Sequence, residues 1–486
     1  MKFRFILTFL IILSTLLIAC RNDGAADETG EATVDHDQSL SQLALSTEVA
    51  SETPQVKSTQ AVSPAIETGS PVQSEENSIN LPLTQNGNPG PTTGPTAVDG
   101  STPVTTNNPQ LTDPEVTITP AADPMEPNDA PTPSYPVYAG ASLNRDNIGI
   151  QIHLHREDLD WLMAHLNKLD VGWVKVQVSW KIFQPDPNLL DEARFGELDR
   201  LIAAANDSEI KVLLSVAKAP EWSRPTTELD GPPANNAHFE SFMGILASRY
   251  QGQVDAYELW NEPNLRREWN GYPLSAADLL QLIAAGARGV RAADPQALII
   301  SAAPATTGIN DAISAIDDRV YFQQMISAGV TGLVDAVSAH PYGWANPPDS
   351  TFGNPDPSVP SHNNHPSFFF LDTMNDYRAM LDQSGNGHIP IWVTEFGWGT
   401  FDGLDAAPPE EVAFMADVNE SQQAEYILRA FELANEMPGV GPQFLWNLNF
   451  APRLGSDYAV SGFSLLRSDG SVRPAYQAMT TLSKGD

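Results

Sequence analysis

Two glutamates close short apolar runs in this chain. Glu262 lies in Y-E-L-W-N-E-P-N (residues 257–264) and Glu395 in I-W-V-T-E-F-G-W (residues 391–398). Each run reads as a buried strand, so each carboxylate is expected where a strand gives way to its loop. Two carboxyl groups facing one another, one holding a proton and one ionised, are the minimum equipment for breaking a glycosidic bond by acid and nucleophile.

Something must bring residues so distant in the chain together. From about Tyr138 to Asp486, apolar runs alternate with amphipathic stretches in eight units. The spacing predicts strands over 148–153, 173–179, 210–216, 254–259, 297–302, 334–339, 390–394 and 443–447. Helices are predicted over 158–169, 191–206, 236–250, 275–293, 319–328, 368–383, 420–436 and 474–482. Strands separated by helices of this length imply βαβ units and a parallel sheet. Local periodicity alone leaves a doubly wound open sheet as the competitor. Polar residues follow strands around the whole count, which suits a closed (β/α)8 TIM barrel with its chemistry on the βα loops. No G-x-G-x-x-G follows the first strand and no P-loop occurs, which disfavours a nucleotide site.

The N-terminus sets the compartment. Lys2 and Arg4 precede an apolar stretch from Ile6 to Ile18 that is short for a bilayer span, and Leu17-Ile18-Ala19-Cys20 resembles the lipobox of bacterial lipoproteins. Residues 1–20 are therefore read as an export signal, with lipid attachment expected at Cys20; an ordinary secretory peptide is the alternative. Cys20 is the only cysteine, so no internal disulfide can form and stability must come from an apolar core. Residues 21–136 are rich in Ser, Thr, Pro and acidic residues, and no Phe, Trp or Tyr occurs from Arg21 to Ser134. They are expected to form a disordered tether, about 60 Å long as a flexible coil, holding a catalytic domain of residues 137–486 off the envelope. The net charge of −35 argues against nucleic acid as a partner. A monomer bound to the membrane only through its lipid is expected.

Asn-Glu-Pro after the fourth strand and Thr394-Glu395-Phe396-Gly397 at the end of the seventh resemble the pattern of glycoside hydrolase clan A, and the barrel is similar to the retaining β-glycosidases of families 5 and 39. The resemblance implies Glu262 as acid/base and Glu395 as nucleophile, acting on a β-linked glycan with no cofactor. It implies that Asn261 contacts the sugar 2-hydroxyl; a turn-forming Asn is the plainer reading. His340-Pro341-Tyr342 resembles the family 5 segment in which the tyrosine bonds the nucleophile and the histidine lines the sugar subsite, against a satisfied core histidine. Residues 174–180, V-K-V-Q-V-S-W, are similar to the family 5 second strand, with Lys175 where arginine is usual; lysine keeps the charge and loses the planar fork. The paired histidines frequent after the third strand of that family are replaced by Lys218-Ala219-Pro220-Glu221-Trp222. Trp446, closing the eighth strand, is implied as the aromatic floor of the sugar site. Trp180, Trp222, Trp344 and Trp398 also follow strands and are candidate platforms, with core packing as the competing role.

Metal chemistry is not expected. His153 and His155, and His362 and His365, lack a carboxylate–histidine spacing such as H-E-x-x-H, and a two-carboxylate mechanism needs no metal. A glycan-binding protein on the same barrel, and a transglycosylase using the same residues, are the alternative functions. The long loop of residues 344–366 leaves exo or endo action open, with glucan, xylan, mannan and galactan all candidate substrates.

Overall fold

The computed structural model describes residues 134–485. The export signal, Cys20 and the tether as far as residue 133 lie outside the described residues. Eight parallel strands form the barrel: β1 (Ile148–Ile152), β2 (Trp173–Ser179), β3 (Lys211–Ala217), β4 (Ala256–Leu259), β5 (Leu298–Ser301), β6 (Val337–Ala339), β7 (Ile391–Phe396) and β8 (Val440–Leu445). Their hydrogen-bonded order is β5-β4-β3-β2-β1-β8-β7-β6, and β1 pairs with β8. A bridge between Ile300 and Ala336, with Ser301 N donating to Ala336 O at 3.1 Å, joins β5 to β6 and closes the ring.

The barrel helices are α1 (Leu159–Leu169), α2 (Glu192–Asp207), α3 (Asn236–Arg249), α4 (Ala276–Ala293), α5 (Asp318–Ala328), α6 (Phe370–Gln383), α7 (Glu420–Glu436) and α8 (Pro474–Met479). Short polar side chains start most of them by accepting from first-turn amides: Asp158, Asp191, Asn235, Ser275, Asp317 and, in a reciprocal box with Gln422, Asn419. Gly329, at φ 97°, lets α5 stop in the left-handed region.

The expected strands fall where the apolar runs put them, except the eighth. Gly439-Val440-Gly441-Pro442 reads as a turn, yet Val440 already pairs with Ile391; an extra residue in β8 before Gln443 is followed by one in β7 between Val393 and Phe396, which restores the register. Trp446 and Asn447 consequently lie beyond the strand, at the barrel mouth.

The barrel interior is stratified by the two-residue period of its strands. Trp173, Leu213, Ala256, Ile300, Ala336, Trp392 and Phe444 make an apolar floor. Trp173 and Trp392 come from strands that are not neighbours, and their rings meet at 5.1 Å across the interior. Gly149 leaves room for Phe444, whose ring lies 2.6 Å from where a Cβ would stand. Two residues further along the same strands the lining turns polar: Lys175, Ser215, Glu258, Ser338 and Thr394, all buried. Polar side chains at that depth must satisfy one another. They form the base on which the mouth is built.

Candidate active site

At the end of β4 the chain turns sharply. Trp260 and Glu262 both adopt left-handed backbone conformations, at φ 88° and 41°, which non-glycine residues hold only when their surroundings impose it. Asn264 supplies part of that constraint: its side chain accepts from Ala305 N at 2.8 Å and donates to Ala305 O and Ile316 O at 2.9 Å each. The result turns the Glu262 carboxylate into the mouth, where it is only 3% exposed.

Glu395 arrives by a different device. In a regular strand Thr394 and Glu395 would face opposite sides, but the register of β7 against β8 shifts between Val393 and Phe396. Thr394 meets Ser338 and His340 with its hydroxyl inside the barrel, while Glu395 also turns toward the interior. Such irregularities commonly re-aim side chains beside active sites.

Lys175 donates to Glu395 Oε1 at 3.1 Å and to Thr394 O at 3.0 Å, and lies 3.3 Å from Glu258 Oε2. The Tyr342 hydroxyl donates to Glu395 Oε2 at 3.0 Å. His340, fully buried, has Nδ1 3.3 Å from Glu262 Oε1 and 3.9 Å from Glu395 Oε2, with Nε2 3.1 Å from Thr394 Oγ1. The Arg267 guanidinium meets Glu262 Oε2 at 2.5 Å. Oxygens of the two glutamates and a ring nitrogen of His340 all lie within 4.8 Å of one another.

Burial would push the Glu262 carboxyl up, but Arg267 and His340 bring it below the ordinary range; burial acts on Glu258 likewise and is overcome chiefly by Lys175. Burial alone would lower the Lys175 ammonium and the His340 imidazole, yet Glu258 and Glu395 raise the first, and Glu395 and Glu262 the second. With one atom of each within reach of a common point, Glu262, His340 and Glu395 are of the types that ligate a cation. Lys175 and Arg267, already in contact with those carboxylates, would repel it.

Residues 146–449 match the cellulase family, glycosyl hydrolase family 5. The chain belongs to this family. Among solved structures, a family 39 glycoside hydrolase of Bacteroides cellulosilyticus WH2 is similar at 19% identity and TM-score 0.52, over 70% of this chain and 64% of that one. An exo-β-1,4-mannosidase from Opitutaceae bacterium strain TAV5 is similar at 15% identity and TM-score 0.47, over 72% and 61%. An endoglucanase of Thermotoga maritima follows at 14% and 0.45, over 70% and 98%. The chain thus spans less than two thirds of the first two structures, and no curated protein matches it.

Within this family 5 barrel, Asn261, His340, Tyr342, Lys175 and Trp446 are grouped around the two glutamates or beside them. Asn261 is buried, and its Oδ1 has no hydrogen-bond partner among the described residues. Trp446 packs edge-on against Tyr342 at 6.1 Å and Phe463 at 5.1 Å. Two of the tryptophans predicted as platforms are core residues instead. Trp180 is fully buried, stacks on Phe242 at 5.4 Å and donates its indole N–H to Gln184 at 2.8 Å. Trp398 is buried against Phe370 and Tyr426 and donates to Asn346 O. Both follow strands but turn outward, toward the helices, which loop position alone cannot reveal. Trp344 stacks on His362 at 4.5 Å, within the 344–366 loop. Trp222 stays half-buried, donating to Gln184 O. His153 and His155 face Glu157 and Glu197, at 3.7 and 3.0 Å, rather than a common centre.

Three residues of the site were not singled out from the sequence: Glu258, Arg267 and Glu268. A charge inside the apolar run Ala256–Leu259 was the available signal for Glu258. Arg266-Arg267-Glu268 reads as an ordinary solvated charge run, yet Arg267 and Glu268 are 8% and 2% exposed.

Proposed function

We propose that this family 5 chain is a retaining glycosidase that hydrolyses a β-linked poly- or oligosaccharide by double displacement. The observation that carries this reading is the approach of the Glu262 and Glu395 carboxylates, one oxygen of each lying within 4.8 Å of the other, with His340 Nδ1 3.3 and 3.9 Å from an oxygen of each. Retaining glycosidases hold their carboxyl groups about 5–5.5 Å apart, whereas inverting enzymes leave about 6.5–9.5 Å for a water.

Glu395 is the nucleophile. Lys175 and Tyr342 donate to its two oxygens separately, which fixes the plane of the carboxylate that attacks the anomeric carbon. Glu262 is the acid/base: its proton goes to the glycosidic oxygen as that bond breaks and the bond to Glu395 forms. A water then gives a proton to Glu262 and its oxygen to the anomeric carbon, releasing Glu395. Two inversions leave the configuration unchanged. His340 spans both carboxylates and holds them in register, and the Asn261 Oδ1 is an acceptor left for a sugar hydroxyl. Trp446, beside Tyr342, offers an indole to the apolar face of a sugar ring.

The test is stereochemical. Proton NMR of early products from defined β-linked gluco-, manno-, xylo- and galacto-oligosaccharides is expected to show the β-anomer of the new reducing end first; initial α-product would overturn the reading.

Export and anchoring are proposed with it, on the apolar stretch to Ile18 and the lone Cys20. Cells expressing the chain with a clickable palmitate analogue are expected to label it, and Cys20→Ser is expected to remove the label. Equal labelling of both would rule out lipidation at Cys20.

A further inference from the structure

The charged groups behind Glu262 are arranged in a way that the two-carboxylate mechanism does not require. Arg267 stands between two buried carboxylates, with Nη2 2.5 Å from Glu262 Oε2 and Nε 3.8 Å from Glu268 Oε1. The other oxygen of Glu268, Oε2, is buried and accepts no hydrogen bond among the described residues. A guanidinium carries donors on several sides of its plane and can serve either acid. Arg267 is in full contact with Glu262, and beside it Glu268 Oε2 is an acceptor not yet used.

An acid/base residue must be protonated in the first half-reaction and ionised before the second. With Arg267 on it, Glu262 is held in the ionised form, the wrong one to begin with. Resting on the acid/base reading of Glu262, we propose that Arg267 is a positioning residue that moves between Glu262 and Glu268, so that the two acids share one proton and Glu262 receives it when the guanidinium turns to Glu268. With Arg267 on Glu262, the proton resides on Glu268. With Arg267 on Glu268, Glu268 is the carboxylate and Glu262 the acid that protonates the leaving oxygen. After that transfer Glu262 is an anion again and the guanidinium returns. In the second half-reaction Glu262 takes a proton from the attacking water, which restores the starting count.

The surroundings fit one shared proton. Burial lifts Glu268 to about 7; Lys218 and Arg267 oppose that rise, while Asp230 and Glu262 add to it. The other charged groups facing the pair are Arg224, which acts on Glu268 and lies 3.9 Å from Asp230, His340 and Tyr342 after β6, Glu395 on β7 and Lys175 on β2, reaching Glu262 through Glu395. His340 Nδ1, 3.3 Å from Glu262 Oε1, stays on the other oxygen of Glu262 whichever acid Arg267 serves.

The test compares full-length variants on phenyl and 2,4-dinitrophenyl β-glycosides of the sugar the protein turns over, since the second leaving group departs without a proton. The alkaline limb of kcat/KM against pH, on the phenyl substrate, reports the free-enzyme acid. Arg267→Gln removes the charge that favours ionised Glu262, so the limb is expected to move to higher pH by about 1–3 units, the usual effect of one adjacent opposite charge. Arg267→Lys keeps a charge and is expected to leave the limb near its original place. Glu268→Gln removes the second seat, traps Arg267 on Glu262 and is expected to move the limb the opposite way, to lower pH, with a loss confined to the phenyl substrate. Shifts of the same sign in Arg267→Gln and Glu268→Gln, or no shift in either, would overturn the proposal. Glu262→Gln tells this failure from that of the underlying assignment: equal losses on both substrates would remove Glu262 as the acid, and the proposal with it.

Discussion

Glu395→Ala is expected to lower turnover by at least about 10⁴-fold, the scale on which loss of a covalent nucleophile falls in enzymes that depend on one, with melting temperature close to that of the parent. The reason the fold survives lies in the charges beneath. Lys175 is shared between Glu395 and Glu258, so deleting Glu395 leaves one buried ammonium facing one buried carboxylate. The gap left by the carboxylate opens toward the position of the anomeric carbon, and Lys175 and Tyr342 remain there as donors. Added azide fits such a gap and carries the needed charge. It is expected to restore turnover and to yield the α-glycosyl azide from a β-linked substrate, because only one displacement then occurs. An intact, folded variant with no azide product from a substrate the parent cleaves would refute Glu395 as nucleophile.

The same two positions illustrate what a sequence can and cannot disclose. Parallel strands buried on both faces are continuous apolar runs, so the runs leading to Trp260 and to Glu395 announced both strands and their ends. Once eight such units were counted, the barrel rule that chemistry gathers at the C-terminal ends of the strands brought residues 262 and 395 to one mouth without coordinates. His340 and Tyr342 stood at the end of the sixth strand by the same count, but their roles came from the resemblance of His340-Pro341-Tyr342 to the family 5 segment. What escaped was whatever depends on the direction of a side chain rather than on its place in the chain. Trp180 and Trp398 follow strands as Trp446 does, but they pack outward against Phe242 and Phe370. Arg267 and Glu268 occupy a loop whose composition resembles solvent-facing charge, and only the fold buries them. Glu395 itself required a shift in the register of β7 that no periodicity contains.

Lys175 provides the sharpest test of how the site is supported from below. In this barrel it takes the place where the family's arginine is usual, and it contacts two acids, Glu395 above and Glu258 below. Lys175→Met keeps much of the volume and removes the ammonium, leaving both carboxylates buried without their common cation. Breaking a buried pair in this way costs about 3–5 kcal/mol, because a charge is left uncompensated rather than because the pair itself is strong. The effect must depend on pH, and its sign follows from the shifts in the parent. Glu258 is held below the ordinary carboxylate range despite burial, so the stability it contributes is present above that range and fades as pH falls through its depressed value. Lys175 is raised despite burial, so its contribution is complete below the ordinary ammonium range and is lost only as pH rises through the raised value. Near neutrality both are fully expressed, and the variant loses both. As pH falls toward 5 the stranded carboxylates can take up protons, which relieves the variant but not the parent. The melting-temperature deficit of Lys175→Met is therefore expected to be larger at pH 8 than at pH 5, and turnover to fall because the attacking carboxylate loses the donor that holds its Oε1. Lys175→Arg, which keeps the charge, separates that effect from packing: it is expected to retain most of the stability and of the turnover. A Lys175→Met variant whose deficit is the same at both pH values, with parental turnover, would show that the ammonium supports neither the fold nor the attacking carboxylate.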